Sequence, residues 1–380
     1  MTPTVAPEQR ETAARRLPTV PLPLPGEALL SWIDHFGAEY GLRRKDAACA
    51  LGIPLSGPGA TPFIGLRLQD LTFWLTDRAV SRLKESTGLP TDILTGMSLR
   101  QFDNGALRFR WWRSLPVEEQ RPRGCLNRSE NAINRDKIPV CPKCLHENGF
   151  RWKLEWYFPW IVLCPDHLCY LVAHCPVCNS SFRPSMGYTP ATGLCEGWVG
   201  FTGPHAASPS SDRKYLGWPT GGRCPARPAE FPTQPVRDNE MITSQKRIRE
   251  TILGEDRDAA RNLIEDLRSL LPHIFRATEP EHLENSDDAV RRNFLSQRDH
   301  LAKKGYYPAK TATPFEPLTM AAGLTVAAPI IWSEDPLSTA RSILPPSAWA
   351  NAIDPAEGHR LGLRQHNRLR PLIRALEGSP

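Results

Sequence analysis

Eight of the ten cysteines in this chain crowd between residues 141 and 224. Cys141-Pro-Lys-Cys144 is a C-x-x-C knuckle, and Cys164-Pro-Asp-His167 is a C-x-x-H knuckle that follows after a gap of nineteen residues. A two-residue spacer lets two side chains of one tight turn reach one tetrahedral ion, so the two knuckles together predict a zinc site of three cysteines and one histidine. Four buried residues that coordinate nothing are the plainer reading, but paired knuckles of this spacing rarely arise by chance. Cys175-Pro-Val-Cys178 opens a second set, which Cys195 and Cys224 complete as an all-thiolate site. His205, in the same Gly/Pro/Ser-rich stretch, is the rival for its fourth position. Cys169 and His174 lie in LCYLVAH, an apolar run predicted as a short strand between the sites. There Cys169 reads as a buried thiol and not a ligand, and His174 as a supporting or surface histidine. Cys49 and Cys125 stand alone, and a lone cysteine outside an oxidising compartment is usually a small buried apolar residue.

The expected chemistry is structural. A catalytic zinc keeps one position for water, whereas here two Zn2+ ions per chain would have all four positions filled, mostly by charge-donating thiolates. The sequence carries no H-E-x-x-H, no H-x-E before a P-C-x-x-C, no Walker-type loop and no G-x-S-x-G. Asp166, between two ligands, is expected to point away from the ion. No catalytic residues are assigned, and the chain reads as a non-enzyme.

These residues need elements to hold them. At 380 residues the chain has room for two or three cores, and its net charge of +6 permits an anionic partner without requiring one. Its 38 prolines are about twice the usual share. No stretch resembles a signal peptide or a membrane span, so the expected location is cytoplasmic, with thiols reduced. Residues 26–53 predict helix, turn, helix, with Leu29, Leu30, Ile33 and Phe36 on one face and Gly41 as a stop. Residues 76–99 repeat the outline: Asp77 as a cap, Gly88 at the turn, then a helix after Pro90 with Ile93 and Leu94 inward. Helix hairpins of this kind read DNA or serve as ordinary core, and both readings stand. The aromatic-rich segment between the first two knuckles is expected to form a hairpin over the metal. Residues 258–275 form an amphipathic helix that Pro272 should end or kink, and helical patterns continue beyond it.

The fold class is therefore mainly α with a small β component, with helix-turn-helix-like domains around a tandem zinc-ribbon module. The expected division is an N-terminal arm (1–20), a helical domain (21–138), the zinc module (139–230) and a helical C-terminal domain with a basic tail (231–380). Arg108, Arg110 and Arg113 interleave with aromatic residues, and Arg360, Arg364 and Arg368 lie in a stretch without acids. These six are the candidate nucleic-acid contacts, with a solvated surface as the alternative. In the proline-rich opening, Leu22, Leu24 and Trp32 are candidate anchors for a protein partner, against packing on the chain's own helices.

Together the zinc block and its lead-in resemble the TniQ family of transposon target-selection proteins. PLPLPGEALLSWI, with Glu27, Leu29, Ser31 and Trp32, is similar to that family's opening motif. LTGMSL is similar to a later element, and CPKC, CPDH and CPVC follow in the family order. The resemblance covers residues 17 to about 225. It departs at the close: Pro225 and Ala226 follow Cys224 where the family often has glycine, after a long detour over 196–223. The resemblance implies a non-catalytic adaptor that contacts a AAA+ transposition regulator and either target DNA or a separate DNA-targeting complex. A homodimer is compatible with it. The alternative is a zinc-containing DNA-binding transcriptional regulator unconnected with transposition.

Overall fold

The computed structural model describes residues 16–53, 68–109, 133–134, 137–182, 193–195, 197, 224–303, 316–345 and 369–376. These residues are mainly helical, with one short antiparallel strand pair. In the N-terminal part, α1 (Leu29–Glu39) and α2 (Arg44–Ala50) form the first expected hairpin. They are followed by α3 (Leu68–Phe73), α4 (Asp77–Thr87) and α5 (Thr91–Gly96). Leu29, Leu30, Ile33 and Phe36 are buried together with Leu83 and Leu94, as the helical spacing requires. Gly41 and Gly88 turn the chain with φ of 64° and 72°, a region open to glycine without a Cβ penalty. Two details differ from expectation. Thr76 and not Asp77 caps α4, its Oγ1 accepting from Ala79 N, and Ile93 is 42% exposed while Leu94 alone points inward. Adjacent residues on a helix point about 100° apart, so Ile93 leaves the face on which Leu94 is buried.

The metal-binding segment holds α6 (Pro142–Glu147), β1 (Leu163–Cys164) and β2 (Cys169–Tyr170). The strands pair with Leu163 opposite Tyr170 and Cys164 opposite Cys169. The aromatic segment between the knuckles is not a hairpin. It makes a 3-10 turn over Leu154–Tyr157 and buries Trp156, Tyr157, Phe158 and Trp160, and the hairpin is the 163–170 strand pair that follows. The C-terminal helices are α7 (Asn239–Leu253), α8 (Arg257–Ala277), α9 (Asp288–Lys303), α10 (Pro317–Trp332), α11 (Pro336–Ile343) and α12 (Arg370–Leu376). α10 is apolar on every side and packs against α7, α8, α9 and α11, so it is a core helix. α8 continues through Pro272 to Ala277. Leu271 and Ile274, on either side of the proline, are fully buried, and that packing outweighs one missing backbone hydrogen bond. No helix of the described residues is long and apolar enough to cross a membrane.

Side-chain bonds tie the helical parts to the metal-binding segment. Buried Gln245 of α7 accepts from Val162 N at 2.8 Å and donates to Trp160 O at 3.1 Å. Tyr170 donates its hydroxyl to Asp287 at 2.9 Å. On the other side, Glu27 is 2% exposed and gathers three donors: Leu24 N, the Ser31 hydroxyl and Arg151 Nη1, at 3.0, 2.8 and 3.1 Å. Ser31 Oγ in turn accepts from Trp152 N, and the backbones of Ala28 and Trp152 are bonded to each other. Burial pushes the Glu27 carboxyl above the usual range against the opposing pull of these donors.

Removing the Glu27 carboxylate should leave the partly buried Arg151 beside a carbonyl and no anion. Glu27→Ala is expected to cost about 3 kcal/mol, and Glu27→Gln, which keeps the hydrogen-bonding shape, clearly less. Urea denaturation of the two variants against the parent chain measures the order. Equal losses would mean that the anion contributes nothing beyond its shape.

Candidate metal centre

Each knuckle is built by a local backbone device. Cys141 sits at the N-cap of α6, its sulfur accepting from Cys144 N at 3.5 Å, and Pro142 occupies the first helical position, where no N–H is needed. The second knuckle forms the turn between β1 and β2, and Leu168, directly after His167, takes φ 44° to close it. Asn179, directly after Cys178, does the same with φ 54°. A bond between Val140 and Val172 brings α6 alongside β2, which places the two halves of the first set face to face.

The resulting geometry is that of two separate tetrads. Cys141, Cys144, Cys164 and His167 form one and Cys175, Cys178, Cys195 and Cys224 the other, with all ligand atoms of each within 4.8 Å of one another. In the first, the Cys144 and Cys164 sulfurs are 3.5 Å apart, and His167 Nδ1 lies 3.5, 3.3 and 3.4 Å from Cys141, Cys144 and Cys164. In the second, Cys175 to Cys224 is 3.8 Å and Cys178 to Cys195 is 3.6 Å. A regular tetrahedron with zinc–sulfur bonds of about 2.3 Å and zinc–nitrogen bonds of about 2.0 Å has edges of roughly 3.8 and 3.5 Å. A disulfide would bring two sulfurs to about 2.05 Å. The spacing therefore fits a four-coordinate ion in each tetrad and no cross-link.

Electrostatics point the same way. Crowding drives the thiols apart in acidity: hydrogen bonds from Cys141 and Cys144 hold Cys164 far below the usual thiol range, while Cys141, Cys164 and burial push Cys144 far above it. Buried thiolates in contact cannot all be ionised without a compensating cation. Around the first tetrad, His167 turns Nδ1 to the sulfurs and donates Nε2–H to Glu147 at 2.8 Å, the carboxylate support that fixes a ligand histidine's ring and tautomer. Asp166 pairs with Lys153 at 2.6 Å and leaves the tetrad free of carboxylates. In the second tetrad a Cβ on Gly197 would stand 2.5 Å from the Cys178 sulfur and 2.6 Å from Ser180 Oγ, so only glycine fits there.

Among the described residues, Cys224 completes the second tetrad. The rival His205 lies outside the described residues. Cys169 stays outside the first tetrad, buried with its sulfur 3.7 Å from that of Cys141. That contact was not legible in the sequence, because the pairing of Val140 with Val172 brings the first knuckle alongside β2. His174 pairs with Glu316 at 3.2 Å, and Cys49 is exposed on α2, contrary to the burial expected of a lone thiol.

The other candidate residues fare unevenly. Trp32 is no exposed anchor. It is fully buried on the chain's own helices and donates Nε1–H to Pro21 O at 2.8 Å, so self-packing wins at that position. Leu22 and Leu24, on the same segment, are 74% and 39% exposed. Arg108 is half-buried in an ion pair with Glu265 of α8. Arg110, Arg113, Arg360, Arg364, Arg368 and Cys125 lie outside the described residues. Glu27, Ser31 and Arg151, which join α1 to the metal-binding segment, were not singled out for that role, since residues more than a hundred positions apart carry no local signal of contact.

Compared with known proteins, residues 18–171 match the TniQ family model. The matched span takes in α1 to α5 and all four residues of the first tetrad, and ends before Cys175. No curated protein matches the chain.

Metal analysis of the purified chain should find two zinc ions per molecule. Gly197→Ala should lower that to one, since the added methyl displaces the Cys178 sulfur. Cys144→Ser should lose the first ion and much of its folding free energy, on the order of 10 kcal/mol for a structural zinc. Cys169→Ser should retain both ions. Zinc release from Cys169→Ser at the level of Cys144→Ser would make Cys169 a ligand.

Proposed function

We propose that this chain is a non-enzymatic adaptor in DNA transposition, helping to select the target site by linking a AAA+ transposition regulator to target DNA or to a DNA-targeting complex. The family match over residues 18–171 carries the reading, because it spans both the helical cluster and the first metal tetrad as one bonded unit. Both tetrads are proposed to hold structural zinc. With three or four thiolates and no open position, each would supply rigidity in place of Lewis acidity.

An adaptor needs separate surfaces held at a constant distance, and two metal tetrads between helical packs provide that stiffness. Leu22 and Leu24 are proposed to belong to the protein-contacting surface, since their prolines order the segment before any partner arrives. Arg110, Arg113, Arg360, Arg364 and Arg368 are proposed to contact the phosphate backbone. Arg108, already paired with Glu265, is the weakest member of that set.

Two experiments test the reading. Co-expressed with a AAA+ transposition regulator, the chain should co-elute with that ATPase in gel filtration, and failure with a zinc-loaded, folded chain would remove the adaptor role. Binding to duplex DNA, measured at several salt concentrations, should weaken steeply as salt rises, because phosphate contacts release counterions. Replacing Arg360, Arg364 and Arg368 with alanine should lower the slope by about 2 to 3 units. DNA binding without ATPase binding would favour the regulator outside transposition.

A further inference from the structure

A cleft of about 310 Å3 opens beside the first metal tetrad, where the proline-rich segment meets the knuckles. Its lining is of two kinds. Leu24, Pro25 and Trp152 give it an apolar part, and Leu22, whose carbonyl is held by Arg151, stands exposed next to it. Charged groups make up the rest, and their bonding capacity is unequally spent. Arg151 is engaged by Leu22 O at 3.0 Å and by Glu27 at 3.1 Å, and Lys153 by Asp166 at 2.6 Å. The carboxylates of Glu147 and Asp166 are 63% and 58% exposed and each has one oxygen bonded, to His167 and Lys153 respectively. A carboxylate offers about four acceptor sites, so both have capacity left.

The formal charge follows the same imbalance. Glu27, Glu147 and Asp166 outnumber Arg151 and Lys153 by one, and a divalent ion held by three thiolates and a neutral histidine adds another negative charge. A phosphate backbone would be repelled here and a cation attracted. We propose that this cleft receives a basic, apolar peptide segment of a protein partner, with an arginine or lysine on Glu147 and Asp166 and an aliphatic side chain against Leu24, Pro25 and Trp152. The segment carrying Leu22 and Leu24 is already fixed by prolines and by the bonds of Glu27 and Arg151, so docking orders little of this chain. The inference rests on the adaptor reading only in requiring a protein partner, and it assigns the metal-bearing face to protein and not to nucleic acid.

The test uses the full zinc-loaded chain and three short fluorescent peptides: alternating arginine and leucine, alternating glutamate and leucine, and alternating arginine and serine. Anisotropy should show the arginine–leucine peptide bound at least about tenfold more tightly than either control. Leu24→Arg, which adds a positive charge and removes the apolar contact at a partly exposed position, should weaken that peptide by about tenfold. Its zinc content and urea midpoint should be unchanged, and Leu22→Ser should weaken binding in the same direction. Equal binding of the glutamate–leucine peptide, indifference to Leu24→Arg and Leu22→Ser, or no binding at about 1 mM would each overturn the proposal. Retained co-elution with the ATPase alongside any of these results would sink the cleft assignment and leave the adaptor reading standing.

Discussion

Cysteine sulfurs packed at van der Waals contact and shut away from the surface are the constraint from which the rest of this molecule follows. Cys141, Cys144 and Cys164 are all nearly inaccessible, and like charges so placed repel strongly unless a cation lies among them. The local backbone is arranged to make that placement possible. A cysteine caps a short helix, a histidine closes a strand pair, and left-handed residues follow the knuckles. An ion held there would join turns that the sequence separates.

Both helical parts are attached to that centre by polar bonds. On one side Glu27 and Ser31 fix α1 to the segment 151–154, just after the first knuckle helix. On the other, Gln245 satisfies the backbone of residues 160–162, and Asp287 holds Tyr170 and Arg237 N. Buried polar groups are costly when unpaired, so each of these bonds also acts against misplacement of its helix. The motif Glu27-x-x-x-Ser31-Trp32 thus works inward, as the fastening of the N-terminal helices. The neighbouring leucines, 22 and 24, are left on the outside by the same fastening.

A platform of this kind suits the adaptor role proposed for it. Four-coordinate ions in the tetrads would fix geometry, and the exposed carboxylates of Glu147 and Asp166 stand beside the apolar side chains of Leu24, Pro25 and Trp152. Positive charge that could serve a phosphate backbone is proposed to lie elsewhere along the chain. Separation of the two surfaces by a stiff centre would let one partner be positioned relative to the other.

Much of this was legible from residues alone where the signal is local. C-x-x-C and C-x-x-H spacing specifies which side chains share a turn, and helical periodicity specifies which face of α1 is buried, because both depend on backbone geometry over a few residues. The extent of α8 beyond Pro272 was not legible, since burial of Leu271 and Ile274 decides it against the local preference of proline. Nor was the inward turn of Trp32, which depends on the distant helices that cover it. The sequence by itself determined the two metal-binding sets and the helical character. Only the tertiary structure decided that the Cys169 sulfur stands beside that of Cys141, that Trp32 turns inward to Pro21, and that Glu27 meets Arg151. Each of those depends on how segments far apart in the chain approach one another, and no short-range pattern encodes such an approach.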